Sequence, residues 1–104
     1  MIQREAVRQN LRRNWKFRVV DNADPEGVSK AIDKSLYVAG TLRTKLDRGD
    51  TKIKPKTAKE ILKVTITRGR VIRPKGILSS ILIGLVVRLI VEYIFDRFFK
   101  DRLI

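Results

Sequence analysis

Gly76-Ile77-Leu78-Ser79-Ser80-Ile81-Leu82-Ile83-Gly84-Leu85-Val86-Val87-Arg88-Leu89-Ile90-Val91-Glu92-Tyr93-Ile94-Phe95 is the stretch on which the fold turns. From Ile77 to Phe95 only Arg88 and Glu92 are charged, and Ile77 to Val87 is an uncharged run. A membrane-spanning helix needs ~20 largely apolar residues, so this segment is just long enough and apolar enough to span. Its two charges oppose that reading, because an arginine at mid-membrane is penalised by roughly 3 kcal/mol. Arg88 and Glu92 stand four residues apart and can pair, and the long Arg88 side chain can reach toward the interface.

A second pattern runs along the same segment. Gly76, Ser80, Gly84, Arg88, Glu92, Asp96 and Lys100 recur at four-residue steps and form one slowly rotating stripe, small residues first and charges after. Small residues at this spacing permit close helix–helix approach in a membrane, and polar residues there usually face protein. Gly76, Ser80, Gly84, Arg88 and Glu92 are therefore the expected helix–helix seam, with the remaining surface turned to lipid or apolar protein. Three settings compete: a helix in a bilayer, a helix buried in an oligomer or larger assembly, and the central core helix of a monomer. The 75 residues that precede it are few to wrap such a helix completely, which places the membrane first.

The flanks extend the membrane reading. Arg68, Arg70, Arg73 and Lys75 come immediately before the segment, and Arg97, Lys100 and Arg102 follow it, mixed with Asp96 and Asp101. Counting Lys and Arg alone places the N-terminal body on the cytoplasmic side, or inside a membrane-bounded particle. Each basic residue near an anionic headgroup layer contributes about 1 kcal/mol. Tyr93, Phe95, Phe98 and Phe99 form an aromatic patch suited to the far interface.

Upstream of the tail the chain is strongly cationic. The 104 residues hold 24 Lys+Arg against 11 Asp+Glu, a net charge of +13. Residues 1–75 contribute 20 basic and 8 acidic side chains, against 4 and 3 in 76–104. A one-sign field on this scale favours a polyanionic partner, whether lipid headgroups, nucleic acid or an acidic protein. The solvated basic surface of a ribosomal-type component is the plain alternative.

Residues 2–16 read as a helix in which Arg4, Arg8, Arg12 and Lys16 make a basic stripe, joined by Arg13, while Val7, Leu11 and Trp15 mark an apolar face. The stripe suits phosphates, or the helix suits a membrane interface with Trp15 as anchor; packing of the apolar face on the rest of the domain is the competing reading. Phe17–Val20 is a short strand or the end of that helix, stopped by turn chemistry at Asp21–Pro25. Asp24 as N-cap and Pro25 at the first helical position open a helix over 25–47. A basic loop follows over 48–56, with Lys52, Lys54 and Lys56 as further polyanion contacts; its Arg48-Gly49-Asp50 tripeptide matches an integrin-ligand motif too short to carry weight. Thr57 and Glu60 fit a capping box, giving a short helix over 57–63. The alternation of Leu62, Val64 and Ile66 with Lys63, Thr65 and Thr67 then predicts an extended segment near 62–72, its last piece bounded by Gly69 and Pro74.

The expected architecture is mainly α: a basic N-terminal segment (1–20), a small basic helical body (21–75) and a long hydrophobic C-terminal helix, a candidate transmembrane element (76–104). Cysteine and histidine are both absent, which removes disulfides, thiol catalysis, zinc fingers and the Ser–His and Cys–His nucleophile systems. Met1–Glu5 lacks the apolar core of a signal peptide and reads as a native start. No phosphate-binding loop, dinucleotide fingerprint, zinc knuckle, RNA-recognition motif or heptad array occurs. The expectation is a non-enzymatic structural protein with no catalytic residues, metal or cofactor, anchored in a cellular or virion membrane, its cationic body meeting anionic lipid or nucleic acid. The alternative is a soluble structural subunit of a phage particle or ribonucleoprotein, its tail buried between subunits; either way it is a homo-oligomer or part of a larger assembly.

Overall fold

The computed structural model describes residues 3–50, 52–73 and 75–103, with the side chains of 101–103 excepted. Five helices follow in order, and no strand occurs among the described residues: α1 (Arg4–Leu11), α2 (Trp15–Ala23), α3 (Pro25–Arg48), α4 (Pro55–Arg68) and α5 (Ile77–Leu103). The mainly-α class holds. Ile2 and Pro74 lie outside the described residues, as do the side chains of the flank charges Asp101 and Arg102.

The expected helix over 2–16 is two helices. Arg12 and Arg13 form a turn, and the Asn14 side chain accepts a hydrogen bond from the Lys16 N–H at 2.9 Å, capping a new helix. Asn offers the backbone a partner outside the helical ladder, which explains the break. The strand option at Phe17–Val20 gives way to helix α2, which buries Phe17 and Val20 and runs through Asp21 and Asn22 to Ala23.

Asp24 serves as the junction between α2 and α3. Its backbone N–H closes α2 on the Val20 carbonyl, and its carboxylate caps α3 at the Gly27 N–H, 3.1 Å away, with Pro25 at the first helical position. Helix α3 buries Val28, Ala31, Ile32, Ser35, Ala39 and Leu46. It ends at Gly49, φ 76°, where Gly49 donates to the Leu46 carbonyl and Asp50 to the Lys45 carbonyl, a Schellman closure that needs a left-handed residue.

Helix α4 corrects the expected short helix and extended segment. It begins at Pro55, since a residue before proline is held extended and proline fits the first turn. Thr57 therefore lies inside the helix and caps nothing. The helix continues to Arg68 because burial follows a four-residue period: Ala58, Leu62 and Ile66 are inside, while Val64 is 39% exposed. Thr65 and Thr67 tolerate the helix by donating their hydroxyls to the carbonyls of Ile61 and Lys63. Extended chain is confined to the connection after Arg68. There Arg70 takes a left-handed conformation, φ 46°, at a cost of about 1 kcal/mol.

Helix α5 opens after Gly76, φ 106°, and the buried Ser79 hydroxyl accepts from the Lys75 N–H at 2.9 Å while donating to the Gly76 carbonyl. Its 27 residues span about 40 Å at 1.5 Å per residue, which sets the 44 Å long axis of the molecule. Leu82, Val86, Val87, Ile90, Val91, Ile94, Phe95 and Phe99 are buried, at one- and three- to four-residue steps that define a single face. That face packs on α2, α3 and α4. One core cluster takes Val7 from α1, Phe17 from α2, Ile32 from α3, Leu62 from α4 and Ile90 from α5, so the tail helix is part of the core.

Candidate functional site

The arginines of the N-terminal stripe are engaged within the chain. Arg4 pairs with Asp33 at 2.9 Å. Arg8 lies 3.2 Å from Asp21 and 3.3 Å from Glu5, and donates to the Pro25 carbonyl and the Ser29 hydroxyl. Arg12 pairs with the same Asp21 and bonds the Asn22 side chain at 3.3 Å. The Asp21 side chain is only 4% exposed, so Arg8 and Arg12 balance a buried carboxylate. Arg4, Arg8 and Arg12 thus join helices, and the turn reading of Asp21 missed this because its partners come from another helix. Arg13 is exposed and without an ion pair among the described residues, and the Lys16 ammonium sits 6.0 Å from the ring centre of Trp15.

The remaining expected polyanion contacts, Lys52, Lys54, Lys56, Arg68, Arg70, Arg73 and Lys75, are exposed and form no ion pairs among the described residues. They lie in the α3–α4 connection, along α4 and in the chain leading to α5. Arg73 is positioned from its backbone: its N–H donates to Asp24 Oδ2 at 2.8 Å, tying this connection to the start of α3. Burial works against the Asp24 charge. The N–H donors of Arg73 and Gly27 and the cationic Lys75 and Arg73 side chains outweigh it and hold the carboxyl below its ordinary value.

On α5 the stripe faces outward from the chain's own body. Ser80, Gly84, Arg88, Glu92, Asp96 and Lys100 are exposed, and Gly76 stands just before the helix, where its positive φ serves the turn. Of the apolar surface expected to meet lipid or apolar protein, one face fills the chain's own core over the C-terminal two-thirds of the helix. Glu92 pairs with Lys59 of α4 at 3.1 Å rather than with Arg88. The expected aromatic anchors divide likewise. Phe95 and Phe99 are buried against each other, with centroids 5.5 Å apart, and the Lys59 ammonium lies 4.7 Å from the Phe95 ring centre. Tyr93 and Phe98 are half-buried, and Trp15 remains exposed.

Among the described residues, an apolar edge lies exposed at the start of α5. In the first third of α5, Ile77 is 82% exposed, Ile81 68%, Leu78 53% and Leu85 40%. Lys75 precedes this edge, and Lys56, Lys59 and Lys63 of α4 border Ile81 and Leu85 across a groove. Reading the tail as one uniform apolar helix hid this division; the Ser79-Ser80 pair and Gly84 gave no sign of it. By length and composition Ile77–Lys100, with mean hydropathy 2.2 over its best 18-residue window, suffices to cross a membrane, and 39% of that window is buried in protein. No group of acidic side chains that could hold a metal occurs among the described residues. No protein-family model, no curated protein and no solved structure matches the chain.

Proposed function

We propose that this is a non-enzymatic structural protein that attaches to the surface of an anionic membrane through the first third of α5. The observation that carries this reading is the exposed row Ile77, Leu78, Ile81 and Leu85, bordered by Lys56, Lys63 and Lys75. Apolar side chains enter the acyl boundary while flanking lysines meet the headgroups, each cation adding about 1 kcal/mol. The net charge of +13 opposes self-association through a bare apolar edge and favours an anionic surface.

Interfacial docking fits this chain better than spanning. Withdrawing α5 to cross a bilayer would uncover Phe17, Val20, Ile32, Leu62 and Ile66, which it helps to bury. Each such side chain is worth roughly 1.5–3 kcal/mol, so the loss would be comparable to the whole 5–15 kcal/mol that holds a typical domain folded. A second reading, in which the same edge packs against another subunit of a large assembly, draws on the exposed Ser80 and Gly84 beside it.

Flotation of the intact protein on vesicles tests the proposal. Attachment to phosphatidylglycerol-containing vesicles, little attachment to purely zwitterionic ones, and release by alkaline carbonate are expected. Resistance to carbonate would favour spanning, and absence of flotation would overturn membrane attachment.

A further inference from the structure

Among the described residues, five cations pair with identified carboxylates: Arg4 with Asp33, Arg8 and Arg12 with Asp21, Arg43 with Asp47, and Lys59 with Glu92. One concave region departs from this pattern. Between the start of α3 and the connection from α4 to α5 lies an open cavity of about 470 Å³ lined by Lys30, Lys34, Arg70, Arg73 and Lys75. All five are exposed and none is within salt-bridge distance of a carboxylate among the described residues, although Lys75 and Arg73 act on the Asp24 charge from farther away. Two acids share the lining. Asp24 already accepts from the Gly27 and Arg73 backbones, and Glu26 is exposed at the rim. Five positive groups against two negative ones in a recess concentrate a positive potential there.

The walls of this recess are held in place. A Cβ at Gly27 would meet the Val71 carbonyl oxygen at 2.6 Å, so the connection lies directly on α3 and only glycine fits. The Arg73 N–H is fixed on Asp24, and the Lys34 ammonium lies 3.3 Å from where a Gly69 Cβ would stand. Between them Arg70 keeps its left-handed backbone, a strain of the kind that persists where surrounding structure over-determines it. Across this connection lies a second cavity of about 540 Å³, lined by Ile66, Ile72, Ile83 and Val87 and sharing Arg70 and Arg73 with the first. A basic recess and an apolar one thus meet at the same short segment, beside the exposed Ile77 and Leu78.

The geometry points to a binding site for a terminal phosphate group in the basic recess, supplied by the monoester headgroup of an anionic lipid or by free phosphate. A terminal phosphate carries −1.5 to −2 charges at pH 7 and offers several acceptor oxygens, which suits two guanidinium forks and several ammonium groups. A phosphodiester carries one charge per unit along a polymer, and a short concave recess matches it less well. The lipid source rests on the proposed membrane attachment; the phosphate site itself does not.

The test uses the full chain and two variants, Lys34→Gln and Arg70→Gly; the second removes a guanidinium and also relieves the backbone strain. Inorganic phosphate is titrated calorimetrically, and flotation compares phosphatidate with phosphatidylglycerol vesicles of matched surface charge. With lipid as source, phosphatidate is favoured about tenfold or more, equivalent to ~1.4 kcal/mol. That preference is lost in both variants, while Arg70→Gly melts no lower than the parent. Binding of inorganic phosphate that both variants abolish, without lipid preference, supports the site with free phosphate as its ligand, even if no vesicle is bound. No phosphate binding together with equal attachment to both lipids overturns the site and leaves membrane attachment standing. Phosphate or phosphatidate binding unchanged in both variants overturns it as well.

Discussion

Replacing Ile81 by alanine separates membrane attachment from folding. The side chain is 68% exposed on α5, so little native packing is lost. Three carbons are removed at about 0.8 kcal/mol each. Scaled by exposure, membrane insertion would lose about 1.6 kcal/mol, or roughly 15-fold in vesicle affinity. Ile77, 82% exposed, gives about 2 kcal/mol by the same reasoning, and the double variant should bind several-hundredfold more weakly if both side chains insert together. Equilibrium binding to phosphatidylglycerol-containing vesicles measures the loss, and thermal unfolding by circular dichroism shows that folding is kept. Ile90→Ala provides the contrast: this side chain is wholly buried, and its truncation should cost about 2–4 kcal/mol of stability. Folded Ile77→Ala and Ile81→Ala proteins with parental affinity would refute insertion of the edge.

Three further predictions follow from the packing. Asp21→Ala should destabilise the fold by about 2–3 kcal/mol, because it leaves Arg8, 18% exposed, and Arg12 facing each other without their carboxylate; urea unfolding measures this. Asp24→Ala removes the α3 cap and the anchor for Arg73, with an expected loss of about 1–2 kcal/mol in the same assay. Because the Asp24 carboxyl is held below its ordinary value of 3.8, its contribution is complete above that pH and is lost as acidity carries the group through its folded-state value. The parent's melting temperature should therefore fall more steeply below about pH 4 than that of Asp24→Asn. Gly84→Ala meets nothing within 4 Å and should stabilise the isolated chain by about 0.5–1 kcal/mol through helix propensity, read as a higher melting temperature. Weaker self-association in that variant would favour the subunit-contact reading.

Local signals carried part of this architecture. Helix α3 was legible at both ends, since Asp24-Pro25 starts a helix by chemistry contained in two residues and its apolar residues keep a helical step. Helix α4 is masked in the sequence because apolar Val64 and Ile66 alternate with polar Thr65 and Thr67, all four β-branched. Only the packing of Leu62 and Ile66 against other helices selects the four-residue period over the two-residue one. The arginine stripe at 4, 8 and 12 is present in sequence, yet its chemistry depends on Asp21 and Asp33, which tertiary folding brings to it. Helix α5 carries one stripe at four-residue steps, which the structure leaves exposed. The rest of its circumference is apolar, so nothing in the sequence marks where along the helix the body's cover stops. The basic recess escaped notice for a related reason. Arg70, Arg73 and Lys75 were visible as a cluster, whereas Lys30 and Lys34 join them only when the connection lies across α3.

The most direct measurement exploits the absence of cysteine. Single cysteines introduced at Ile81 and at Asp96 can each carry a spin label, and collision with oxygen and with a water-soluble relaxant reports depth on anionic vesicles. The account predicts that the label at 81 moves into the acyl boundary while the label at 96 stays in water on the same side as the body. A label at 81 that remains aqueous on bound vesicles, or one at 96 accessible only from the opposite side of the bilayer, would contradict it.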